Sequence, residues 1–461
     1  MTGRLRQAPF GLLVVGLGVA GVPLDTAVNI AFPAITAAFD LQVRAIQWIV
    51  ICYVLTYASL MLVFGKLGDL FGHRRIFQLG LAVSTVAFVL CALAPGFGWL
   101  LLFRVLQGIG AALVLSCAPA LATSLYDESG RARALGAFAG LFAVSTAAGP
   151  LLGGALVEGW GWSGVYWFRA PVALLALALS WILPAPKADS RRRFDWLGAG
   201  LLAFWMSTLL LALALAQMPG VGLEVPAVLG VAGLAALIAF VRHQAGFDEP
   251  ILRPALFRDL DFTLLNLMSL AVNFVTFSVL LLVPYHLAQI LRLSAALGGI
   301  VLAVSAVGMI LGSALAGRLA AGAGQRRVAF AGVVLVIAGT GVTGVSAAPA
   351  ALGVMVTALL CQGIGLGLFQ VAYTDAVTAA LPLRDRGVAG SLAMVSRTLG
   401  TVASATVLSA LFQQAQQAAL ARGLAADTAF AAGFEAAFTT AAAFLLAALL
   451  LTLLRRRMWF P

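Results

Sequence analysis

The chain has 461 residues, of which 62% are hydrophobic and only 10% are charged, and its mean hydropathy is +1.05. This composition excludes a set of soluble domains, because apolar stretches of about 20 residues recur along the whole length, each able to cross a bilayer about 30 Å thick. The net charge of +11 does not indicate a nucleic-acid partner, since the basic residues lie in short loops between the apolar stretches.

The predicted fold class is an all-α polytopic membrane protein, because backbone groups in lipid must be hydrogen-bonded within each span. We predict about 14 spans, each near 20 residues in length. They cover approximately residues 10–33, 46–65, 76–94, 98–122, 132–156, 163–184, 196–217, 225–242, 262–286, 294–317, 327–347, 350–378, 387–412 and 431–454. A topology without the spans at 196–217 and 225–242 is the alternative.

The basic residues predict which side of the membrane each loop faces. Nearly all Lys and Arg residues outside the spans lie in the even-numbered loops and at the termini, and only Arg44, Arg292 and Arg422 lie in the odd-numbered loops. By the positive-inside rule, both termini are cytoplasmic. We expect no cleavable signal peptide, because the first apolar run contains Asp25 and lacks a small-residue cleavage site. The expected location is the inner membrane of a bacterium.

An internal repeat indicates two related halves. Gly317, which opens Gly-Arg-Leu, lies 252 residues after Gly65, which opens Gly-Lys-Leu, and Gln362-Gly-Ile-Gly365 repeats Gln107-Gly-Ile-Gly110. The predicted domains are a six-helix bundle at 1–187, two inserted helices at 188–250 and a second six-helix bundle at 251–461. Transporters with such repeats bind substrate between the halves near the middle of the membrane.

The first span carries an acid, Asp25, within Leu24-Asp-Thr-Ala-Val-Asn-Ile-Ala-Phe-Pro33. This stretch resembles the first-helix signature of the 14-span drug:proton antiporters of the major facilitator superfamily. An ionised carboxylate in a bilayer is costly, so we expect Asp25 to face a cavity or a basic partner. Asp25 lies about 22 Å along span 1 from its inner end, and Arg104 lies about 9 Å into span 4 from its outer end. The two are therefore at similar depth in a core of about 30 Å.

The charged loop after span 2, Gly65-Lys-Leu-Gly-Asp-Leu-Phe-Gly-His-Arg-Arg75, resembles the signature loop between helices 2 and 3 of the same superfamily. In that family the loop locks the two halves on the cytoplasmic side through Asp and Arg contacts. The resemblance implies a cytoplasmic gate motif of Gly65, Gly68, Asp69, Gly72, Arg74 and Arg75. The repeat of this loop has Ala321 where Asp69 stands, so the second gate is degraded. The alternative is a solvated charged loop.

The fourth span contains Arg104-Val-Leu-Gln-Gly-Ile-Gly110. It resembles a family motif whose Arg is implicated in proton coupling. Our hypothesis is that Asp25 alternates between binding a proton and pairing with Arg104. A fixed structural pair is the alternative.

The fifth span contains Ala148-Gly-Pro-Leu-Leu-Gly-Gly154. Pro150 bends the helix, and Gly149 and Gly153 form a small-residue face that permits close helix packing. Together with Gly154, these residues resemble the motif that distinguishes exporting antiporters from symporters in the family. Close packing alone is the alternative interpretation.

Two residues depart from the family pattern. Arg169 stands in span 6 where a polar uncharged residue is common, and two interpretations remain open: a side chain that faces the outer cavity and attracts anions, or, as we favour, one that extends to the membrane interface. His286 follows Tyr285 where Gln is frequent, at the outer end of span 9. It either titrates there or, as we favour, is an ordinary interfacial residue.

The second half carries two charges within its spans. Asp375 lies in the inner half of span 12, and Arg397 lies at similar depth in span 13. Asp375 binds a cationic substrate or a second proton, or else the two residues form a structural pair. Gln107, Gln362 and Tyr373 are further candidate substrate contacts, chosen from their positions.

The resemblance implies a proton-coupled antiporter that exports lipophilic small molecules, such as drugs or antibiotics, by alternating access. We expect no enzymatic activity, catalytic residue, metal or cofactor, because no nucleophile triad or phosphate loop occurs and the proton gradient supplies the energy. The expected partners are a lipophilic substrate, protons and membrane lipid, and the expected state is a monomer. The alternatives are a dedicated exporter of one metabolite, perhaps anionic, a lipid flippase, and a sensor without transport.

Overall fold

We analysed a computed structural model, which describes residues 2–126, 131–184, 195–216, 221–247, 254–346, 351–380 and 386–460. These residues form helices and no β-strands. The helices of the first part are α1 (Thr2–Ala20), α2 (Thr26–Ala38), α3 (Gln47–Phe71), α4 (His73–Ala92), α5 (Phe97–Ser124), α6 (Arg131–Trp160), α7 (Gly164–Trp167), α8 (Arg169–Leu179), α9 (Trp196–Leu215) and α10 (Glu224–Gly246). Those of the second part are α11 (Leu260–Tyr285), α12 (Ala295–Ala323), α13 (Gln325–Val345), α14 (Leu352–Ala380), α15 (Arg386–Ala421) and α16 (Ala426–Leu453).

Within the described residues, each stretch that the sequence predicts as a span contains helix. Within the described ranges, 11 helical segments are long and apolar enough to cross a membrane, and two shorter apolar segments lie at Gln47–Met61 and Trp196–Leu209. The chain is therefore a multi-pass membrane protein. The count of 14 spans stays a prediction.

The first predicted span is not one regular helix. α1 ends at Ala20, a 3-10 turn follows at Pro23–Asp25, and α2 begins at Thr26. Pro23 has no backbone N–H to donate, so it favours an interruption here. The interruption places the Asp25 carboxylate where the first apolar segment changes from one helix to the next.

The chain forms two compact units. Unit 1 contains Met1–Asp40, Trp48–Thr208 and Ala232–Phe240, and unit 2 contains Leu41–Gln47, Leu209–Val231 and Val241–Pro461. The core of unit 2 is built mainly from α11, α13, α14 and α16 and includes the fully buried Trp459.

The internal repeat is visible in the packing of each unit. In unit 1, a Cβ added at Gly108 would lie 2.7 Å from Thr56 Cβ of α3, and one at Gly110 would lie 2.8 Å from Ser84 N of α4. In unit 2, the corresponding Gly363 and Gly365 approach the backbones of α12 and α13 just as closely. The repeated Gln-Gly-Ile-Gly stretches therefore allow the same close helix contacts in both units.

Both units also repeat a left-handed glycine between two helices. Gly72 has φ 96° between α3 and α4, and Gly324 has φ 85° between α12 and α13. This backbone region is open to glycine and costly for other residues.

Gly72→Ala is expected to lower the thermal stability of the purified protein. A Cβ at Gly72 meets nothing within 4 Å, so the cost comes from the backbone alone and amounts to about 1–3 kcal/mol. Gly96→Ala is the matched control, because Gly96 also has open space around it but has an extended backbone with φ −169°. Equal melting temperatures for the two variants in the same detergent would contradict the expectation.

A buried charge cluster as the candidate functional site

The candidate site lies within unit 1 and centres on Asp25. Arg104 of α5 binds this carboxylate in a bidentate manner, with Nη1 2.7 Å from Oδ1 and Nη2 2.8 Å from Oδ2. The Arg104 side chain is 1% exposed and that of Asp25 is 15% exposed. A bidentate, charge-assisted pair of this kind is among the stronger polar contacts in proteins. The structure thus brings together the two charged residues that their positions along spans 1 and 4 predict to lie at similar depth in the membrane.

Arg169 is a second guanidinium on the same carboxylate. It donates from Nη1 to Asp25 Oδ1 at 2.6 Å and from Nε to Val165 O at 2.9 Å, and its side chain is 1% exposed. The favoured interpretation, an arginine that extends to the membrane interface, is therefore wrong. The carboxylate provides a counter-charge inside unit 1, and Arg169 begins α8 within reach of it.

Gln107, one turn after Arg104, completes the polar contacts. Its Nε2 donates to Asp25 Oδ1 at 3.0 Å, while its Oε1 accepts from Arg104 Nη1 at 2.8 Å. Arg104 Nε donates to the carbonyl of Ile49 at 3.0 Å. Gln107 is 1% exposed, so its side chain belongs to the charge cluster and does not line an open substrate cavity.

Aromatic rings cover both guanidinium groups. The Tyr53 ring centroid lies 4.3 Å from Cζ of Arg104, and those of Phe88 and Tyr166 lie 4.7 and 5.1 Å from Cζ of Arg169. Such contacts stabilise cations that are removed from water. Sequence reasoning missed these rings, although Tyr166 stands only three residues before Arg169 and so lies on the same helical side.

The cluster carries more positive than negative charge. Two arginines remain protonated at any physiological pH, so the group has a net charge of +1 when Asp25 is ionised and +2 when it is protonated. Arg169 Nη2 is buried and has no hydrogen-bond partner among the described residues. Protonation of Asp25 therefore leaves two desolvated cations without a counter-charge, which favours a rearrangement.

The glycine motif of α6 packs directly against the segment that carries Asp25. A Cβ built at Gly149 would overlap Thr26 Oγ1, and one at Gly153 would lie 2.8 Å from Ala27 Cα. Thr26 Oγ1 donates to Thr146 O of α6 at 3.2 Å. Pro150 and Gly154 are also buried. The motif thus sets the distance between α6 and the start of α2.

The gate-motif residues occupy the end of α3 and the start of α4. Arg74 Nη1 donates to Leu183 O at 2.9 Å, directly after the 3-10 turn Ser180–Ile182 that ends the helix α8. In unit 2, Arg326, which lies 252 residues later, donates likewise to Arg457 O at 3.3 Å. Gly65 and Gly68 lie within α3, Gly72 begins the turn, and Arg75 is exposed. The side chain of Asp69 lies outside the described part of the chain.

The unit 2 candidates do not form one site. Gln362 Oε1 accepts from Ser305 at 2.9 Å, and the Tyr373 hydroxyl donates to Asn266 Oδ1 at 2.8 Å, with both side chains fully buried. Asp375 and Arg397 are exposed, and the structure shows no ion pair between these two described residues. Gln362 and Tyr373 therefore make hydrogen bonds inside unit 2. The structural pair of Asp375 and Arg397, which their similar predicted depth in the membrane suggested, is not formed.

His286 is fully buried, so the interpretation as an interfacial residue is wrong. Its ring stacks 4.6 Å from that of Phe434 and 6.4 Å from that of Phe430, measured between centroids. It begins a π-helical turn, His286–Ile290, directly after α11. This turn carries the ring inward against α16, which no sequence pattern indicated.

The repeated helical halves and the buried charge cluster define a membrane protein of the transporter class. The model of the Major Facilitator Superfamily matches residues 10–247 and 265–458. The chain belongs to this superfamily, whose members are transporters and not enzymes.

Relatives of the chain include antibiotic-resistance proteins. It is 31% identical over 419 residues to the tetracenomycin C resistance and export protein of Streptomyces glaucescens, covering 88% of this chain and 76% of the relative. It is 33% identical over 320 residues to the methylenomycin A resistance protein of Bacillus subtilis, covering 68% of each. It is also 27% identical over 413 residues to the riboflavin transporter RibZ of Clostridioides difficile, covering 89% of each.

Solved structures share the fold at low sequence identity. The crystal structure of the nucleoside transporter NupG matches with a TM-score of 0.69 and 10% identity over 96% of this chain and 98% of the other. A peptide transporter of the POT family matches with a TM-score of 0.69 and 18% identity over 98% and 97%. These likenesses concern the fold alone.

Proposed function

We propose that the protein is a proton-coupled antiporter that exports lipophilic small molecules by alternating access. The observation that carries this proposal is Asp25, a membrane-embedded carboxylate held by two buried arginines. Two relatives named for antibiotic resistance support export of antibiotic-like compounds. The proposal includes a 14-span drug:proton antiporter topology with the predicted domain boundaries, both termini in the cytoplasm, an inner-membrane location, no cofactor and a monomer.

The charge balance of the cluster provides the coupling. With Asp25 ionised, its carboxylate connects the α1–α2 segment to α5 and α8. With Asp25 protonated, that connection weakens, because the carboxyl group no longer neutralises either guanidinium. A proton therefore shifts the equilibrium between conformations by its different interaction energy in each, which is the thermodynamic requirement for coupling.

Asp25 couples protons in this scheme and does not bind a cationic substrate. Both of its oxygens already accept hydrogen bonds from Arg104, and Oδ1 also accepts from Arg169 and Gln107. The two guanidinium groups also repel a cationic compound at this position. Asp375, which is exposed, is the candidate acid for such a compound.

A second candidate function is a dedicated transporter of one metabolite. The observation that favours it is the similarity to the riboflavin transporter, which covers 89% of both chains. A narrow response to one class of compound would distinguish this function from multidrug export.

The test uses proteoliposomes with a pH-sensitive dye inside and an imposed proton gradient. Adding a lipophilic substrate is expected to evoke proton movement in the original protein and none in Asp25→Asn, which keeps the shape but cannot ionise. Substrate counterflow without a gradient, measured on the same liposomes, checks that Asp25→Asn is still folded and able to exchange substrate. Asp427→Asn is the control, because it removes a largely exposed acid outside the cluster that has no proposed role in transport. Proton movement retained in Asp25→Asn would overturn the proposal.

A further inference from the structure

An apolar groove lies at the end of α16 in unit 2. It has a volume of about 710 Å³, and it is lined by Phe330, Leu450, Leu453, Leu454, Arg456 and Phe460. Leu450 is 55% exposed and Leu454 is 86% exposed. The groove therefore has an apolar wall with one guanidinium at its edge.

The end of the chain that forms one side of this groove is firmly packed. Met458 and Trp459 are fully buried, and Trp459 Nε1 donates to Thr452 Oγ1 at 3.0 Å. The Phe330 ring lies 5.6 Å from that of Trp459 and 5.3 Å from that of Phe460. The packing of this segment thus fixes the backbone that carries Arg456 beside the apolar wall.

The charges beside the groove are unbalanced. Asp261 is shared by two arginines, with Arg455 Nε at 2.5 Å and Arg326 Nη1 at 3.6 Å. Arg456 and Arg457 are exposed and have no acidic partner among the described residues. A guanidinium without a partner at the end of an apolar helix is suited to bind a phosphate group, which it contacts through two parallel N–H donors.

We propose that this groove binds an anionic glycerophospholipid, with an acyl chain along Leu450, Leu454 and Phe330 and the phosphate on Arg456. α16 is one of the helices able to span the membrane, so its exposed apolar side chains face the lipid acyl chains. Its last residues and the arginines that follow then lie at the level of the headgroups. Basic pockets at that level bind anionic lipid headgroups, and the apolar wall adds the energy of acyl-chain contact.

The test measures lipid retention by the full-length protein in detergent, with native mass spectrometry and thermal melting as readouts. The added compounds are a phosphatidylglycerol, a phosphatidylcholine with the same acyl chains, and glycerol 3-phosphate. Phosphatidylglycerol is expected to be retained at least threefold more than phosphatidylcholine and to raise the melting temperature. Glycerol 3-phosphate alone is expected to have no effect. Equal retention of the two lipids, or an effect of glycerol 3-phosphate equal to that of phosphatidylglycerol, would overturn the proposal.

Variants locate the binding to the groove. Arg456→Gln, which removes the charge, and Leu450→Trp, which fills the groove, are each expected to reduce phosphatidylglycerol retention at least threefold. Both positions are exposed, so folding is preserved. Arg422→Gln is the matched control, an exposed arginine outside the groove, and it is expected to retain the lipid. An equal loss in Arg422→Gln would show a general charge effect and would also reject the site.

Discussion

Arg169→Gln is expected to leave the protein nearly as stable as the original chain, whereas Asp25→Asn lowers its stability strongly. The first change converts a cluster of net charge +1 into the neutral bidentate pair of Asp25 and Arg104. The second leaves two buried guanidiniums without a counter-charge. Removing the counter-charge of buried cations in this way costs about 3–5 kcal/mol. Arg169→Gln loses two hydrogen bonds, to Val165 and to Asp25, at about 1–2 kcal/mol each, and removal of the surplus buried charge offsets this loss.

The double variant gives the sharper result. Asp25→Asn combined with Arg169→Gln restores the net charge of +1, so it is expected to recover part of the stability that Asp25→Asn loses. Thermal melting of the purified proteins in one detergent at one pH provides the measurement. Arg292→Gln serves as the control, because Arg292 contacts Asp427 only at 4.0 Å with both side chains largely exposed. Such surface pairs contribute little.

Two outcomes would contradict this account of the charges. If Arg169→Gln is as damaging as Asp25→Asn, Arg169 is not the surplus cation. If the double variant is less stable than Asp25→Asn alone, the contacts of Arg169 with Val165 and the aromatic rings outweigh its charge.

The sequence contained enough information to place Asp25 beside Arg104. A helix rises 1.5 Å per residue, so the depth of each charge follows from its distance to the nearest loop. The same rule puts Arg169 about 9 Å into span 6, which is the depth of Arg104 in span 4. Arg169 could therefore have been predicted as the third member of the cluster from its depth. The expectation that its side chain extends to the membrane interface led to the wrong prediction.

Side-chain direction was harder to predict than depth. α14 is apolar on all sides, so its sequence does not indicate that Gln362 and Tyr373 point into unit 2. The 3-10 turn that ends at Asp25 and the π-helical turn that begins at His286 are local departures from regular helix, and hydrophobic periodicity does not reveal them. Close contacts between helices were easier to predict, because glycines such as Gly149 and Gly153 indicate them directly in the sequence.

Gly149→Ala is expected to slow transport about tenfold, which corresponds to about 1.4 kcal/mol in the rate-limiting step. The added methyl group would overlap Thr26 Oγ1, so α6 must move away from the segment that carries Asp25. Overpacking of this kind costs about 1–3 kcal/mol. Because Thr26 directly follows Asp25, the displacement also disturbs the contacts of the carboxylate with Arg104 and Arg169.

Two further variants distinguish this contact from a general effect on α6. Gly140→Ala adds the same methyl group to the same helix where nothing lies within 4 Å, and it is expected to transport at the original rate. Thr26→Ala removes the overlapping oxygen, so Gly149→Ala combined with Thr26→Ala is expected to transport faster than Gly149→Ala alone. Thr26→Ala by itself loses the hydrogen bonds to Pro23 O and Thr146 O, and its transport rate shows the effect of that loss alone.

The measurement is the transport rate of each variant in proteoliposomes, normalised to the amount of folded protein. A rescue by Thr26→Ala would show that the distance between α6 and Asp25 limits the conformational change, which links the glycine motif to the proton site through one contact. An equal slowing in Gly140→Ala would instead mean that α6 tolerates no added volume anywhere. In that case the position of Gly149 next to Thr26 would have no special role in coupling.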